Sequence, residues 1–197
     1  MQKLIIASKN SGKIKEFKRI LQLASPDIEL VTDLEIPDVA ETGATFEENA
    51  LLKAVSVAKF TGIPAIADDS GLSVDALDGA PGILSARWSG GGDQENINKV
   101  LGELKDFSDS QLGAKFVAVI AIAKPSGENL VVRGELLGKI RRSATGDNGF
   151  GYDPIFEPIT GGGRTLAEMT PAEKDSISHR ASALAQITPL IKPFLLS

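Results

Sequence analysis

Short apolar segments alternate with amphipathic segments of helical periodicity over the first third of the chain. The predicted elements are, in order, a strand over Lys3–Ala7, a helix with Ile14, Phe17 and Leu21 on one face, a strand over Ile28–Thr32, a helix with Phe46, Ala50, Ala54 and Val57 on one face, and a strand over Pro64–Ala67. Thr45 and Glu48 have the spacing of a capping box at the start of the second helix. Alternation of this kind is typical of an α/β fold.

Two longer apolar segments follow in the middle of the chain. Phe116–Ala123 and Leu130–Leu137 are separated by the turn-forming residues Pro125–Asn129, which indicates an antiparallel hairpin and therefore a mixed sheet. The segment from Ser178 to about Leu196 is predicted to be mostly helical and to break before Pro189. A chain of 197 residues is expected to form a single domain, residues 1–197.

Composition excludes several kinds of site. The chain has no cysteine and a single histidine, which rules out disulfides, thiolate metal sites, a cysteine nucleophile and a multi-histidine metal site. The net charge of −5 argues against a nucleic-acid partner, which requires a basic surface. No apolar stretch approaches the roughly 20 residues of a membrane span, and the apolar N-terminal run is too short for a signal peptide. A cytoplasmic protein with no membrane partner is therefore expected.

Two adjacent carboxylates, Asp68 and Asp69, come directly after the third predicted strand, and Ser70 and Gly71 follow them. Because successive strand residues point to opposite faces, the two carboxylates are expected to face different environments. A carboxylate at a strand end, followed by a small-residue turn, is a usual place to hold Mg²⁺, so the pattern predicts an enzyme site. Glu41 has no capping role and is a candidate second metal ligand with Asp69, although a solvated glutamate also explains it.

A polar segment, Ser8–Lys13, lies between the first predicted strand and helix, where exposed backbone N–H groups can bind phosphate. Lys13 and Lys15 lie in the first helical turn, where the helix dipole disfavours cations unless an anion is bound. An ordinary surface turn with solvated lysines is the alternative interpretation.

Two further clusters have the composition of a nucleotide site. Glycines flank the aromatic residues of the segment Gly149–Pro154, so Phe150 or Tyr152 could stack on a base, and a tight turn with a buried aromatic is the alternative. Lys174 and the pair His179-Arg180 could donate hydrogen bonds to a base or a phosphate, although a lone histidine is more often structural.

Together these segments resemble the Ham1/inosine triphosphatase family. The matching motifs are, in order, SKNSGK, ETGATFEENALLKA, IADDSGLSVDALDGAPGILSARWSG, GFGYDPIF and EKDSISHRA. The resemblance extends from Leu4 to about Leu190, and five motifs in the right order make a chance match very improbable. Lys9 and Trp88 are mild departures, since the family commonly has a small residue and a tyrosine at these positions.

The resemblance implies an α/β fold with a long curved mixed β-sheet flanked by helices, and two lobes with a nucleotide cleft between them. It implies a homodimer that hydrolyses purine nucleoside triphosphates (ITP, dITP and XTP) to the monophosphate and pyrophosphate with Mg²⁺. That activity keeps deaminated purines out of DNA and RNA.

The resemblance also implies roles for individual residues. The metal ligands are Glu41 and Asp69, Asp69 is also the proton acceptor, and the substrate-binding residues are Ser8, Lys9, Asn10, Ser11, Gly12, Lys13, Ser70, Phe150, Gly151, Tyr152, Asp153, Lys174, His179 and Arg180. Lys13, Lys53 and Lys174 are candidates to stabilise the charge that develops on the phosphates.

Three other functions compete with this interpretation. A related pyrophosphatase acting on modified pyrimidine nucleotides, as Maf-like proteins do, is disfavoured by the SHR and GFGYD segments. A non-catalytic nucleotide-binding module would not need Glu41, Asp69, Lys13 and Lys174 together. A structural interaction protein would leave these lysines and carboxylates unexplained.

Overall fold

The computed structural model describes residues Gln2 to Ser197. The strands are β1 (Gln2–Ile6), β2 (Ile28–Val31), β3 (Ala65–Val74), β4 (Gly113–Ala123), β5 (Asn129–Ile140) and β6 (Phe156–Pro158), and the helices are α1 (Ser11–Ala24), α2 (Phe46–Thr61), α3 (Asp93–Glu103), α4 (Pro171–Ile177) and α5 (His179–Leu196). The strands form a six-stranded sheet in the order β2-β1-β3-β4-β5-β6. Because β1 is parallel to β2 and β3 while β5 is antiparallel to β6, the predicted α/β fold with a mixed sheet is confirmed.

Contacts divide the chain into two compact units. Unit 1 comprises residues 2–69, 118–134 and 180–197, and unit 2 comprises residues 70–117 and 135–179. Each unit has its own cluster of buried apolar side chains.

The core of unit 1 is formed by apolar faces of β1, α1 and α5. Leu4 and Ile6 alternate along β1, whereas Phe17 and Leu21 are one helical turn apart on α1, and all four are at most 2% exposed. The helical spacing predicted α1 from the sequence, whereas β1 was predicted from its short continuous apolar run.

Helix α5 corrects one prediction, because it continues through Pro189 and Pro193 as a single helix. A proline inside a helix removes one backbone hydrogen bond. Next to Pro189, the Thr188 hydroxyl donates to the carbonyl oxygen of Leu184 at 2.6 Å. The face that includes Leu184 and Ile187 is completely buried, so packing stabilises a helix that the local sequence disfavours.

Strand β3 corrects a second prediction, because it does not end at Asp68 and Asp69 but continues to Val74. The pair Ser70-Gly71 is strand, not a turn. A Cβ atom on Gly71 would lie 2.4 Å from both the Gly82 carbonyl oxygen and the Ser85 hydroxyl, so this glycine serves close packing. Ser85 Oγ also accepts a hydrogen bond from the Leu72 N–H at 2.9 Å.

The core of unit 2 packs α3 and the strands of this unit together. Ile97 and Val100 of α3, Leu72 and Val74 of β3, and Phe156 of β6 are at most 3% exposed. Among residues 2–197, no helix is both long enough and apolar enough to cross a membrane.

Candidate active site

The loop before α2 is fixed to the first turn of that helix, and it carries Glu41. Thr45 Oγ1 accepts a hydrogen bond from the Glu48 N–H at 3.1 Å, while the Glu48 carboxylate accepts one from the Ala44 N–H at 2.6 Å. Asn49, which is completely buried, accepts a hydrogen bond from the Gly43 N–H at 2.8 Å. The predicted capping residues thus also hold the backbone next to Glu41.

Glu41, Lys53 and Asp69 form a compact charged cluster in unit 1. Lys53 Nζ lies 2.8 Å from Glu41 Oε1 and 3.1 Å from Asp69 Oδ1. The other Asp69 oxygen, Oδ2, accepts a hydrogen bond from Asn49 Nδ2 at 3.3 Å. The structure therefore brings together the two residues predicted as metal ligands and places one ammonium group against both.

Burial sets the proton affinity of this cluster. Removal from water raises the pKa of Asp69 above its usual range, and the nearby Lys53 ammonium only partly opposes this effect. Burial lowers the pKa of Lys53, but the carboxylates of Asp69 and Asp68 outweigh it and raise that pKa overall. Lys53 is accordingly a permanent cation here, and Asp69 is a stronger proton acceptor than an ordinary aspartate.

The donor set of this cluster fits a hard cation of the Mg²⁺ type. Mg²⁺ in proteins is commonly held by one or two carboxylates together with phosphate oxygens of a substrate. Within residues 2–197 no group of three or more acidic, histidine or cysteine side chains is placed to hold a metal. Glu41 and Asp69 match a Mg²⁺ site with two carboxylate ligands. The Lys53 ammonium between them stands in for the cation.

Asp68 has different partners, as strand alternation predicts. Arg180 donates from Nε and Nη2 to Asp68 Oδ2 at 3.2 and 3.0 Å, and its Nη1 donates to Glu16 on α1. Lys13 Nζ lies 3.2 Å from the other Asp68 oxygen, Oδ1. The Asp68 side chain is fully buried and that of Arg180 is 1% exposed, so these four charges form an internal network of α1, β3 and α5.

The charge network keeps Asp68 ionised. Burial alone would raise its pKa, but Lys13 and Arg180 outweigh burial and hold the pKa of this carboxyl far below its usual range. Burial lowers the pKa of Lys13, while Asp68 opposes that shift. The adjacent aspartates therefore differ, because the pKa of Asp68 is lowered and that of Asp69 is raised.

The predicted phosphate-binding segment, Ser8–Lys13, connects β1 to α1. Asn10 is the N-cap of α1, and its side chain accepts a hydrogen bond from the Lys13 N–H at 3.0 Å. Ser8 Oγ accepts a hydrogen bond from the Asn10 N–H at 3.2 Å. Lys9 pairs with Asp38, and both line a cavity of about 520 Å³ in unit 1.

The predicted base-binding loop, Gly149–Asp153, lies in unit 2 and is organised by a buried ion pair. Asp153 Oδ2 accepts hydrogen bonds from Lys174 Nζ at 2.5 Å and from the Phe150 N–H at 3.0 Å. Lys174 Nζ also lies 4.8 Å from the centroid of the Phe150 ring, a cation–π contact. Gly151 donates its N–H to Asp93 Oδ2 at 2.7 Å. Lys174 and Asp153 thus position Phe150.

Gly149 and Gly151 provide a matched test of this loop. Both have positive φ, but a Cβ on Gly149 would lie 2.0 Å from Asp153 Oδ2, whereas a Cβ on Gly151 would meet nothing within 4 Å. We expect Gly151→Ala to cost about 1 kcal/mol from the left-handed backbone alone. We expect Gly149→Ala to cost about 2–4 kcal/mol because overpacking adds to that strain. Urea unfolding measures both, and equal losses would contradict this account of the loop.

Two aromatic residues of the prediction are parts of the core. Tyr152 is 4% exposed, and its hydroxyl donates to the carbonyl oxygen of Ser85 at 2.8 Å, which corrects the suggestion that it stacks on a base. Burial and the nearby Asp93 raise the pKa of Tyr152 above its usual range. The His179 ring is 4% exposed and stacks on Phe116 with centroids 4.7 Å apart.

The structure therefore sorts the predicted residues into two groups. Unit 1 holds Ser8, Lys9, Asn10, Ser11, Gly12, Lys13, Glu41, Asp69 and Arg180, and unit 2 holds Ser70, Phe150, Gly151, Tyr152, Asp153, Lys174 and His179. Several residues in direct contact with these groups were not assigned a role in the site from the sequence, among them Glu16, Asn49 and Asp93. Glu16 left no signal in the sequence, because it lies off the apolar face formed by Ile14, Phe17 and Leu21 and is buried only in the folded protein.

Comparison with known proteins gives one consistent result. Residues 4–190 match the model of the Ham1 family. The chain is 50% identical to a dITP/XTP pyrophosphatase of Streptomyces avermitilis, with 99% of this chain and 100% of that protein covered. It is 49% identical to a dITP/XTP pyrophosphatase of Mycobacteroides abscessus, with 96% of this chain and 95% of that protein covered.

A solved structure agrees with the sequence relatives. The HAM1 protein from Coxiella burnetii superposes with a TM-score of 0.87 at 42% identity, over 98% of this chain and 100% of that one. A family match over nearly the whole length, close sequence relatives and a closely similar solved fold lead to one conclusion. The chain belongs to the Ham1 family.

Proposed function

We propose that this protein hydrolyses non-standard purine nucleoside triphosphates, dITP, ITP and XTP, to the nucleoside monophosphate and pyrophosphate. The observation that carries the proposal is the Glu41–Lys53–Asp69 cluster, in a chain whose full-length relatives are called dITP/XTP pyrophosphatases. Such an activity would remove deaminated purines from the nucleotide pool and keep them out of DNA and RNA.

In the proposed reaction, Asp69 is the general base. A water oxygen forms a bond to the α-phosphorus, and Asp69 takes one proton of that water on a carboxylate oxygen. The bond from the α-phosphorus to the bridging oxygen breaks, and pyrophosphate leaves with the electron pair. Without a bound cation the pKa of Asp69 is raised, which is the direction that favours proton acceptance.

The phosphates need cations to stabilise the charge that develops in the transition state. Lys53 is one source, since its ammonium already lies against Glu41 and Asp69. Lys13 is a second, because its side chain is 16% exposed while its partner Asp68 is fully buried. Lys174 is assigned to the loop of Phe150 instead, because its ammonium lies against Asp153 and the aromatic ring.

The proposal includes Mg²⁺, which Glu41 and Asp69 would hold. When bound, the ion would supply charge neutralisation on the phosphates and a lower pKa for a coordinated water. Support comes from the chemistry of the donor set, which consists of two carboxylates with a lysine ammonium as the stand-in cation.

Base recognition is proposed for Phe150, whose ring would stack on the purine. Of the two aromatic side chains in the loop, Tyr152 is a core residue and Phe150 is half-buried. Hypoxanthine and xanthine have a carbonyl at position 6, where adenine has an amino group. A site whose donors pair with that carbonyl leaves them unpaired against adenine, at a cost of about 1–3 kcal/mol each.

A pyrophosphate-release assay tests the proposal. The substrates are ITP, dITP, XTP, GTP, ATP and a methylated pyrimidine triphosphate, each with Mg²⁺ and with EDTA. We expect kcat/KM for dITP and XTP to exceed that for ATP by roughly tenfold or more, since each unpaired donor costs about 1–3 kcal/mol. Activity is expected to disappear in EDTA. Equal efficiency with ATP would refute the base selectivity, and preference for the pyrimidine nucleotide would replace the function by that of a Maf-like enzyme.

The homodimer and the cytoplasmic location are also part of the proposal. Sedimentation equilibrium of the purified protein tests the first, since a monomer at assay concentrations would refute it. Cell fractionation tests the second.

A further inference from the structure

The Lys53 ammonium contacts both carboxylates that are proposed to hold the metal. It lies 2.8 Å from Glu41 Oε1 and 3.1 Å from Asp69 Oδ1, at the position where a shared cation would also interact with both. The three side chains are 15%, 26% and 7% exposed, in the order Lys53, Glu41 and Asp69. A lysine and a divalent cation therefore compete for the same two carboxylates.

We propose that Lys53 is an internal counter-cation that keeps the affinity of the nucleotide-free protein for divalent cations low. This inference rests on the proposed function, because it concerns the metal ligands named there. Two carboxylates and one ammonium carry a net charge of −1, so a divalent cation meets half of the negative charge that Glu41 and Asp69 alone would offer. The ammonium also repels the cation directly at short range.

The neighbouring cations do not have this position. Lys13 and Arg180 contact Asp68, whose side chain is fully buried, and Arg180 also contacts Glu16. Among the residues that the structure describes, Lys53 is the one of these three basic groups that lies against Glu41 and Asp69.

Phosphate oxygens provide Lys53 with an alternative partner. An ammonium on a flexible four-carbon stem can move from a carboxylate to a phosphate without leaving its helix. On this basis Lys53 would move onto the phosphates when the triphosphate binds, and Glu41 and Asp69 would then hold the metal without a competing ammonium. The protein then binds the metal–nucleotide complex in preference to the metal alone.

Removing the ammonium tests the proposal on the protein without nucleotide. Lys53→Met keeps the apolar stem and removes the charge. The control, Lys59→Met, removes the same charge from the exposed last turn of the same helix, α2. Mn²⁺ is the probe, and the free ion is measured by electron paramagnetic resonance, so no catalytic activity enters the result.

We expect Lys53→Met to bind Mn²⁺ about tenfold or more tightly than the unmodified protein, because the nearby positive charge is gone. Lys59→Met should bind as the unmodified protein does.

A second substitution shows where the ion binds. Adding Glu41→Gln to Lys53→Met should abolish the gain in Mn²⁺ affinity. If the unmodified protein and Lys53→Met both bind Mn²⁺, and Lys53→Met does so no more tightly, the inference is wrong while the metal site stands. If all variants bind no Mn²⁺ in the absence of nucleotide, including Lys53→Met, the metal ligands of the proposed function are wrong as well. Should Lys53→Met fail to fold, Lys53→Gln supplies the same comparison with hydrogen-bond donors retained.

Discussion

Replacing Asp69 by asparagine should lower kcat for dITP by roughly a hundredfold to ten-thousandfold, the usual contribution of a positioned general base. Asparagine keeps the size of the side chain and one carbonyl oxygen but cannot accept the proton of the attacking water. Steady-state pyrophosphate release gives kcat, and calorimetric titration of the variant with dITP gives the dissociation constant. The dissociation constant should change far less than kcat, since Lys13 and Lys53 are retained.

The stability of the Asp69→Asn protein separates chemistry from misfolding. Burial outweighs the attraction of Lys53 in setting the pKa of Asp69, so the charged form of this residue is disfavoured in the folded state. The neutral asparagine should therefore leave the melting temperature unchanged or raise it. A variant with lower activity and a much lower melting temperature would indicate a structural role for Asp69. Near-normal kcat would refute its assignment as the base.

Replacing Arg180 by methionine should destabilise the protein by about 3–5 kcal/mol, because it leaves two buried carboxylates without their shared cation. Asp68 is fully buried and Glu16 is 7% exposed, and both contact the guanidinium in the folded state. Urea unfolding measures the loss. Arg180→Lys should retain part of the stability, since one ammonium cannot replace donors aimed at both Asp68 and Glu16.

Arg133 provides a matched control in the same unit. It pairs with Glu47 at 2.7 Å, but both side chains are about 40% exposed. Exposed pairs of this kind contribute about 0–1 kcal/mol, so Arg133→Met should have a small effect. If Arg180→Met were as mild as Arg133→Met, the charge network around Asp68 would not stabilise the fold. Combining Arg180→Met with Glu16→Gln should restore part of the lost stability, because one of the two buried carboxylates is then neutral while Asp68 keeps its contact with Lys13.

Local signals account for the parts of the fold that were predicted correctly. Thr45, Glu48 and Gly62 mark the two ends of α2, and Gly62 ends the helix in the left-handed conformation that glycine adopts readily. These signals act within a few residues. The end of β3 was misplaced because Ser70-Gly71 has the composition of a turn, while contacts of Gly71 with Gly82 and Ser85 determine its conformation.

In the candidate site, too, residues with a local sequence signal could be predicted, whereas residues that depend on partners distant in the sequence could not. Glu41 and Asp69 could be singled out, since each lies beside a recognisable cap or strand. Glu16 could not be assigned a role, because its partner Arg180 is 164 residues away in the sequence. The exposure of Tyr152 could not be predicted either, because a glycine-flanked aromatic is compatible with a stacking residue and with a core residue. In the structure its hydrogen bond to Ser85 places it in the core.

The position of Asp68 and Asp69 inside β3, and not at its end, has a consequence for how this enzyme family can vary. Side chains on a strand alternate with a period of two, so the insertion or deletion of one residue between Ala65 and Asp68 would exchange the faces of the two acids. Since the surroundings set each pKa, the acid that then faced Arg180 would have the lowered pKa, and the acid that faced Lys53 would have the raised one. The different roles of the two aspartates thus depend on which face of the strand each side chain occupies. Length changes should be tolerated in the loops on either side but not within this part of β3, because even a two-residue change, which keeps the faces, would move both acids by roughly 6–7 Å along the strand.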